Sequence, residues 1–120
     1  MSTGFDTNDQ DLQIASRQEG RTTVLSLRGE VTVFSSPELR EALRKVLEGR
    51  PGRIVLDLSQ TRYVDSSGVA TFVEALKMVR RHDGEMVLAG VGKRVRGVFE
   101  IARLADVFRM VPTVEEALEP

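Results

Sequence analysis

A nearly continuous apolar run, Arg53-Ile-Val-Leu-Asp-Leu58, lies near the middle of the chain and sets a strict condition on its fold. A strand with this composition is buried on both faces, as the central strands of parallel sheets are. Parallel neighbours require long crossover connections, which are usually helical. Segments with helical periodicity lie on both sides of the run. The sequence therefore predicts an α/β fold.

Further extended segments are expected before and after this run. Leu12 to Gln18 and Thr22 to Arg28 are short, rich in β-branched residues and partly alternating. The turn residues Glu19-Gly20-Arg21 separate them, which predicts an antiparallel hairpin. The other extended segments are a third piece at Val31 to Val33 and strands at Met86 to Ala89 and Val107 to Met110. A loop is expected at Ser59 to Tyr63.

Four helices are expected to connect these strands. The first has a serine cap, Ser35, with Pro37 in its first turn and Glu38 three residues after the serine. The last opens with the capping box Thr113-Val-Glu-Glu116. The helical segments, defined by their apolar positions, are Leu39 to Leu47, Val69 to Val79, Val95 to Ala102 and Thr113 to Leu118. The order of elements predicts a mixed sheet with a hairpin at its start and parallel crossovers after it.

The chain length of 120 residues corresponds to one domain. Residues 1–10 are polar, without Lys, Arg or an apolar core, so we expect a flexible tail there rather than a secretory signal. The folded domain is then expected at residues 11–120. No stretch approaches the ~20 apolar residues of a membrane span. These observations predict a cytoplasmic protein.

Composition excludes several classes of function. The chain has no cysteine, which rules out disulfides, thiolate zinc sites and a catalytic thiol, and its one histidine is His82. Its 17 basic and 18 acidic residues give a net charge of −1, without the basic excess of many nucleic-acid-binding proteins. Gly90-Val-Gly-Lys93 lacks the first glycine of a phosphate loop, and Arg94 replaces the residue that would bind magnesium. We therefore expect no catalysis, cofactor, metal or nucleic acid.

Asp57, near the end of the apolar run, raises the alternative of a response-regulator receiver with a phosphorylated aspartate. Receivers need an acidic pair after the first strand to hold magnesium, whereas Arg28-Gly29-Glu30 offers one carboxylate here. The leading hairpin also departs from the strict alternation of strands and helices in receivers. Asp57 is therefore interpreted as a loop-capping residue at a strand end.

The motif Asp65-Ser66-Ser67-Gly68 immediately precedes a helix with apolar periodicity. In a structural role, Asp65 or Ser66 would cap the helix and Gly68 would permit close packing. A serine at a helix N-terminus can also be a switch, because unpaired backbone N–H groups and the helix dipole stabilise a phosphate there. The phosphate would add about −1.5 to −2 charges at pH 7 and change any surface that docks on the site. No Gly-x-Ser-x-Gly elbow is present, which disfavours a serine hydrolase.

Taken together, these motifs resemble the STAS domain family, and in particular its anti-sigma factor antagonists. The resemblance extends from about Leu12 to Leu118 and rests on Leu27-Arg-Gly-Glu30, Leu56-Asp-Leu-Ser59, Val64-Asp-Ser-Ser-Gly68 and Thr113-Val-Glu-Glu-Ala-Leu118. It implies an α/β STAS fold, with a mixed sheet of four to five strands and about four helices. It also implies a regulatory protein without catalysis of its own.

The resemblance further implies a partner and a modification. Unphosphorylated antagonists bind an anti-sigma factor that is itself a serine kinase, which releases the sigma factor. The kinase then phosphorylates the serine after the motif aspartate, which is Ser66 here, and a metal-dependent serine phosphatase resets the switch. The residues that the resemblance assigns to the partner-binding surface are Gly29, Glu30, Thr32, Asp65, Ser67, Gly68 and Val69. Phe72 fits this surface or the core, with the core preferred, and a monomer or weak homodimer is expected.

One position departs from the family pattern. Antagonists of this type have Gly-Glu-hydrophobic-Asp after the second strand, and here Thr32 replaces the aspartate. In the family that aspartate lies beside the phosphorylation site and contributes to partner recognition. A second function therefore stays open, a constitutive STAS subunit of a transporter-linked complex of the lipid-transport type or of a sensory scaffold. The serine motif would then be a helix cap only.

Overall fold

The computed structural model of the chain describes residues 12–120. Its strands are β1 Leu12–Glu19, β2 Thr22–Val31, β3 Arg53–Asp57, β4 Thr61–Val64, β5 Glu85–Ala89 and β6 Arg109–Val111. Its helices are α1 Ser36–Glu48, α2 Ser66–Arg80, α3 Lys93–Ile101 and α4 Val114–Ala117. The tail expected at residues 1–10 lies outside the described residues. Within residues 12–120, no helix combines the length and the apolar character that a membrane crossing requires.

The strands form one mixed sheet. Their order is β1-β2-β3-β5-β6, and β4 pairs with β2 outside this path. β1 and β2 form the expected antiparallel hairpin, in which Leu12 pairs with Gly29 and Glu19 with Thr22. The other pairings are parallel. The α/β class, the mixed sheet, the leading hairpin and the four crossover or terminal helices are therefore confirmed.

The described part of the chain contains six strands, whereas four to five were predicted. The extra strand is β4, which occupies most of the loop expected at Ser59 to Tyr63. β2 is ten residues long and has two parallel neighbours, β3 along residues 22–26 and β4 along residues 29–31. The prediction of a separate extended piece at Val31 to Val33 is also wrong, because β2 itself continues to Val31 and a turn follows it. No local pattern indicated β4, since this strand exists only through its pairing with a distant segment.

The central strand β3 is covered on both faces, as its apolar run predicted. Ile54 and Leu56 belong to the larger core, which also holds the buried apolar side chains of α1, α2 and α3. Val55 belongs to a smaller core with a residue of α4. Within the larger core, Phe72 stacks on Phe99 with 6.0 Å between ring centroids. The three crossover helices therefore share one face of the sheet, and α4 covers part of the other.

The structure confirms one of two predicted helix caps and assigns a different role to the other. Thr113 caps α4 as predicted, since its Oγ1 accepts a hydrogen bond from the Glu116 amide at 3.1 Å. Ser35 occupies the N-cap position of α1, but its hydroxyl does not bond an amide of that helix. It donates to the Glu30 carbonyl at 2.8 Å and accepts from the Thr32 amide at 3.0 Å. Ser35 therefore fastens the turn between β2 and α1 rather than the helix.

Candidate functional site

The start of α2 is closed by the side chain of Asp65. Its Oδ1 accepts hydrogen bonds from the Ser67 amide at 2.9 Å and from the Gly68 amide at 3.1 Å. The same oxygen accepts from the Ser67 hydroxyl at 2.6 Å. Backbone N–H groups in the first turn of a helix lack partners within the helix, and a carboxylate satisfies them well. Of the two residues considered for the cap, Asp65 is the one that fills it.

The second carboxylate oxygen of Asp65 reaches a different part of the chain. Oδ2 accepts from the amide of Val33 at 3.0 Å, in the turn between β2 and α1. The turn is further closed by the Thr32 hydroxyl, which accepts from the Phe34 amide at 3.2 Å. The Thr32 carbonyl accepts from the Ser35 amide at 3.0 Å. One side chain therefore joins the serine motif to the turn that contains Thr32.

These hydrogen bonds set the ionisation of Asp65. Partial burial acts to raise the pKa of the carboxyl, because it disfavours the charged form. The hydrogen bonds from the Ser67 hydroxyl and from the amides of Gly68, Val33 and Ser67 outweigh burial, and they hold the pKa below its ordinary value. Asp65 is therefore a stable anion at neutral pH, placed at the positive end of the α2 dipole.

The two serines of the motif differ in their surroundings. Ser66 is the first residue of α2 and is exposed. Within residues 12–120, no group forms a hydrogen bond with its hydroxyl. Ser67 is half-buried, and its hydroxyl is engaged by Asp65. Only the Ser66 hydroxyl is therefore free to react without the loss of a native hydrogen bond.

Two glycines let the backbone segments of the site approach one another. A Cβ atom at Gly68 would lie 2.7 Å from Val64 Cγ1, 2.8 Å from Val31 Cγ1 and 3.0 Å from the Val31 carbonyl oxygen. Side chains larger than hydrogen are therefore excluded at this position, as the close-packing interpretation predicted. Gly29 has a φ of +118°, which only glycine adopts readily, at the point where the pairing of β2 with β4 shifts register.

The structure brings most of the predicted surface residues to one edge of the sheet. Gly29 and Glu30 lie at the end of β2, alongside β4, and Asp65 follows β4 directly. The Asp65 amide donates to the Val31 carbonyl at 2.9 Å, which extends this pairing by one bond. The Glu30 carboxylate lies 3.7 Å from the guanidinium of Arg62, a residue of β4. Thr32 is half-buried and begins the turn that Asp65 holds.

Val69 does not belong to this surface. It is 4% exposed and packs in the larger core, so the expectation of an exposed side chain there is wrong. The reason is helical periodicity, since Val69, Phe72, Leu76 and Val79 share the stripe of α2 that faces the sheet. Phe72 is fully buried, which confirms the preferred core role. The exposed residue next to Val69 is Ala70.

Sequence reasoning missed the two residues that follow Thr32. Val33 was expected at the end of an extended piece, and Phe34 was assigned no role. In the structure they form the exposed tip of the turn, with both side chains in solvent. The signal that could have revealed them is an apolar pair between Thr32 and the serine-rich helix start, outside any periodic segment.

The other candidate residues have structural partners. Asp57 Oδ1 accepts from the Ser59 amide at 3.1 Å and from the Ser59 hydroxyl at 2.7 Å, which fits the loop-capping interpretation. His82 Nε2 lies 2.8 Å from the Pro51 carbonyl oxygen, in a hydrogen bond between a helix end and a loop. Among the residues that the structure describes, no cluster of three His, Cys, Asp or Glu side chains is placed to hold a metal ion.

A family model for the STAS domain matches residues 13–117, which span the sheet and the serine motif. This chain belongs to the STAS domain family. An anti-sigma-B factor antagonist of Listeria monocytogenes is 35% identical over 83 residues, which cover 68% of this chain and 72% of the relative. An anti-sigma-B factor antagonist of Staphylococcus aureus is 30% identical over 100 residues, which cover 83% of this chain and 93% of the relative.

Solved structures agree with this STAS fold. The crystal structure of an anti-sigma factor antagonist from Mycobacterium paratuberculosis superposes with a TM-score of 0.82 at 22% identity, over 90% of this chain and 92% of the other. The unphosphorylated anti-sigma factor antagonist SpoIIAA superposes with a TM-score of 0.77 at 22% identity, over 88% and 92%. Within the family, the relatives make this chain one of the anti-sigma factor antagonist type. It is a regulatory binding protein rather than an enzyme.

Proposed function

We propose that this STAS protein is a phosphorylation-controlled antagonist of an anti-sigma factor that is itself a serine kinase. The unmodified chain binds the kinase, and the sigma factor held by the kinase is released. Phosphorylation of Ser66 ends the binding, and a metal-dependent serine phosphatase restores it. The observation that carries the proposal is the Ser66 hydroxyl, which is exposed and unbonded within residues 12–120, while its neighbours Asp65 and Ser67 are bonded to each other.

Accessibility supports Ser66 as the acceptor. A kinase must bring the hydroxyl oxygen in line with the phosphate of ATP, which requires a side chain that can leave its native position. Movement of Ser66 breaks no side-chain hydrogen bond of the described structure. Movement of Ser67 would break its 2.6 Å bond to Asp65 and disturb the cap of α2. Phosphorylation of Ser67 would therefore carry a cost in stability that phosphorylation of Ser66 does not.

The cap also explains why a phosphate would change binding. The amides of Ser67 and Gly68, which would otherwise stabilise an anion at this helix start, are already occupied by Asp65. A phosphate on Ser66 would add about −1.5 to −2 charges at pH 7 beside that carboxylate. The phosphate is repelled by the Asp65 carboxylate, and the Ser67 and Gly68 amides are not available to bind it. It therefore stays on the surface that the partner contacts. We expect the affinity for the kinase to fall for this reason.

We assign the contact surface to the edge of the sheet around Ser66. The residues that form it or give it its shape are Gly29, Glu30, Thr32, Asp65, Ser67 and Gly68. The glycines and Asp65 act by fixing the backbone, because their side-chain positions are buried or already bonded. The relatives named as anti-sigma-B factor antagonists support an anti-sigma factor as the partner.

The experiment is phosphate transfer followed by intact mass and peptide mapping. The purified protein is incubated with ATP and a lysate of the cells that express it. We expect one added phosphate on Ser66, loss of that phosphate in Ser66→Ala, and its retention in Ser67→Ala. Ser66→Ala should still bind the kinase, because only the acceptor hydroxyl is lost. Ser66→Asp should bind it more weakly.

Three outcomes would contradict the proposal in different ways. A phosphate that maps to Ser67 would mean that the acceptor is the wrong serine. Tight binding of the kinase by Ser66→Asp would contradict control by charge. Absence of any phosphate, where a control antagonist is modified by its own kinase, would favour the constitutive STAS subunit. In that case the Thr32 position would be the first to examine, through a Thr32→Asp variant.

A further inference from the structure

The tip of the turn between β2 and α1 exposes two neighbouring apolar side chains. Phe34 is 84% exposed and Val33 is 60% exposed. Among residues 12–120, Phe34 is the one aromatic residue that is mostly exposed, since Phe72, Phe99 and Phe108 are buried and Tyr63 is half-buried. Exposure of a large aromatic ring costs hydration free energy that packing elsewhere would recover. The tip therefore has a feature that folding alone does not explain.

The tip is held in a defined conformation. Val33 donates its amide to Asp65 Oδ2 at 3.0 Å, and Phe34 donates its amide to the Thr32 hydroxyl at 3.2 Å. The base of the turn is closed by the Thr32 carbonyl, which accepts from the amides of Ser35 and Ser36 at 3.0 and 2.7 Å. A contact made by an ordered loop loses less conformational entropy on binding than one made by a flexible loop.

The tip also lies within reach of any enzyme that modifies Ser66. Val33 is hydrogen-bonded to Asp65, the residue immediately before Ser66 in the chain. A standard protein–protein interface covers about 800 Å² on each partner, which corresponds to a patch of about 16 Å radius. Phe34 is adjacent to Val33, and Ser66 is adjacent to Asp65, so the Val33–Asp65 hydrogen bond connects the two residues over a distance shorter than that radius. An interface of standard size centred on Ser66 would therefore reach Phe34.

We propose that Val33 and Phe34 form an apolar anchor that inserts into an apolar pocket of the anti-sigma factor kinase and positions Ser66 for phosphorylation. The proposal rests on the function proposed above and identifies what holds the kinase there. Exposed aromatic residues at the centre of an interface often provide a large share of the binding free energy. Asp65 is the positioning residue of the anchor, because it fixes the turn relative to the serine.

The test is steady-state phosphorylation of Ser66 in the full chain. The probe is each anti-sigma factor serine kinase encoded in the same genome, purified and used with ATP. For the kinase that modifies Ser66, Phe34→Ala should raise KM for this protein by roughly tenfold or more, and Val33→Ala should raise it by less. Phe34→Leu should recover part of the loss, because it restores apolar volume.

Ile101→Ala is the matched control. Ile101 is 87% exposed, as Phe34 is, but it lies at the end of α3 rather than on the turn. We expect its KM to stay within about twofold of the parent value. Thermal unfolding of Phe34→Ala should match the parent, because an exposed side chain contributes little to the core.

The outcomes separate the two proposals. If Ser66 is phosphorylated and Phe34→Ala leaves KM within about twofold, the anchor is refuted and the proposed function stands. An equal effect of Ile101→Ala would also refute the anchor, since it would show a general response to surface hydrophobicity. If no kinase modifies Ser66, the proposed function and the anchor are both refuted.

Discussion

Replacement of Asp65 by alanine removes the side chain that joins the serine motif to the neighbouring turn. The variant loses the cap on the amides of Ser67 and Gly68, for which a typical cost is about 0.5–2 kcal/mol. It also loses the interaction of a carboxylate with the helix dipole, a further ~0.3–1 kcal/mol. The freed Val33 amide is exposed and binds water, so it adds little. We expect Asp65→Ala to lower the free energy of unfolding by about 1–3 kcal/mol.

Asp65→Asn removes the charge of the side chain but keeps its shape, so it tests the contribution of the charge. The asparagine side chain keeps one acceptor oxygen, which can bond either the cap amides or the Val33 amide. Its NH2 group then faces the other amides and cannot accept a hydrogen bond from them. We expect a loss of about 1 kcal/mol, smaller than that of Asp65→Ala. Ser66→Ala is the control, because the Ser66 hydroxyl is exposed and has no hydrogen-bond partner in residues 12–120. Its free energy of unfolding should lie within about 0.5 kcal/mol of the parent.

The assay is urea unfolding at pH 7, followed by the same measurement at lower pH. A loss of 1 kcal/mol also lowers Tm by about 3–6 °C in a domain of this size. The folded pKa of Asp65 lies below its ordinary value of 3.8, so its charged form stabilises the fold. This stabilisation is complete above the unfolded pKa and is lost as the pH falls through the folded pKa. The difference between the parent and Asp65→Asn should therefore be largest near neutrality and shrink below about pH 4.

Two results would refute this reasoning. The first is an Asp65→Ala variant that unfolds within about 0.5 kcal/mol of the parent, since the cap would then contribute nothing. The second is a difference between the parent and Asp65→Asn that grows on acidification, because that would require a folded pKa above the unfolded one. A large effect of Ser66→Ala would show that the hydroxyl has a structural partner after all.

Other substitutions test the packing and caps around the site. Gly68→Ala should destabilise the fold by about 1–3 kcal/mol despite the better helix propensity of alanine, because its Cβ would overlap the side chains of Val64 and Val31. Urea unfolding would measure this, and unchanged stability would mean that α2 shifts freely. Thr113→Ala should cost about 1 kcal/mol through loss of the bond from the Glu116 amide, and a cost near zero would show that water replaces it.

Several features of the site were predictable because their signals are local. An aspartate before two serines and a glycine predicts a helix start, and Asp65 does cap α2. The glycine at position 68, at the start of a helix, predicted close packing, and the clash distances agree. Val69 is the opposite case, because the family resemblance places it on the partner surface, whereas its spacing to Phe72 and Val79 indicates the buried stripe of α2, where it lies.

By itself, the sequence determined the class of the fold and the place of the serine motif. Continuous apolar character from Ile54 to Leu56 requires cover on both faces, and caps and turns act over three or four residues. The tertiary structure alone decided the existence of β4 and the junction of Val33 with Asp65. These depend on contacts between segments about thirty residues apart, as from Val33 to Asp65. Such contacts form only when the sheet brings the ends of β2 and β4 together, so no local pattern encodes them.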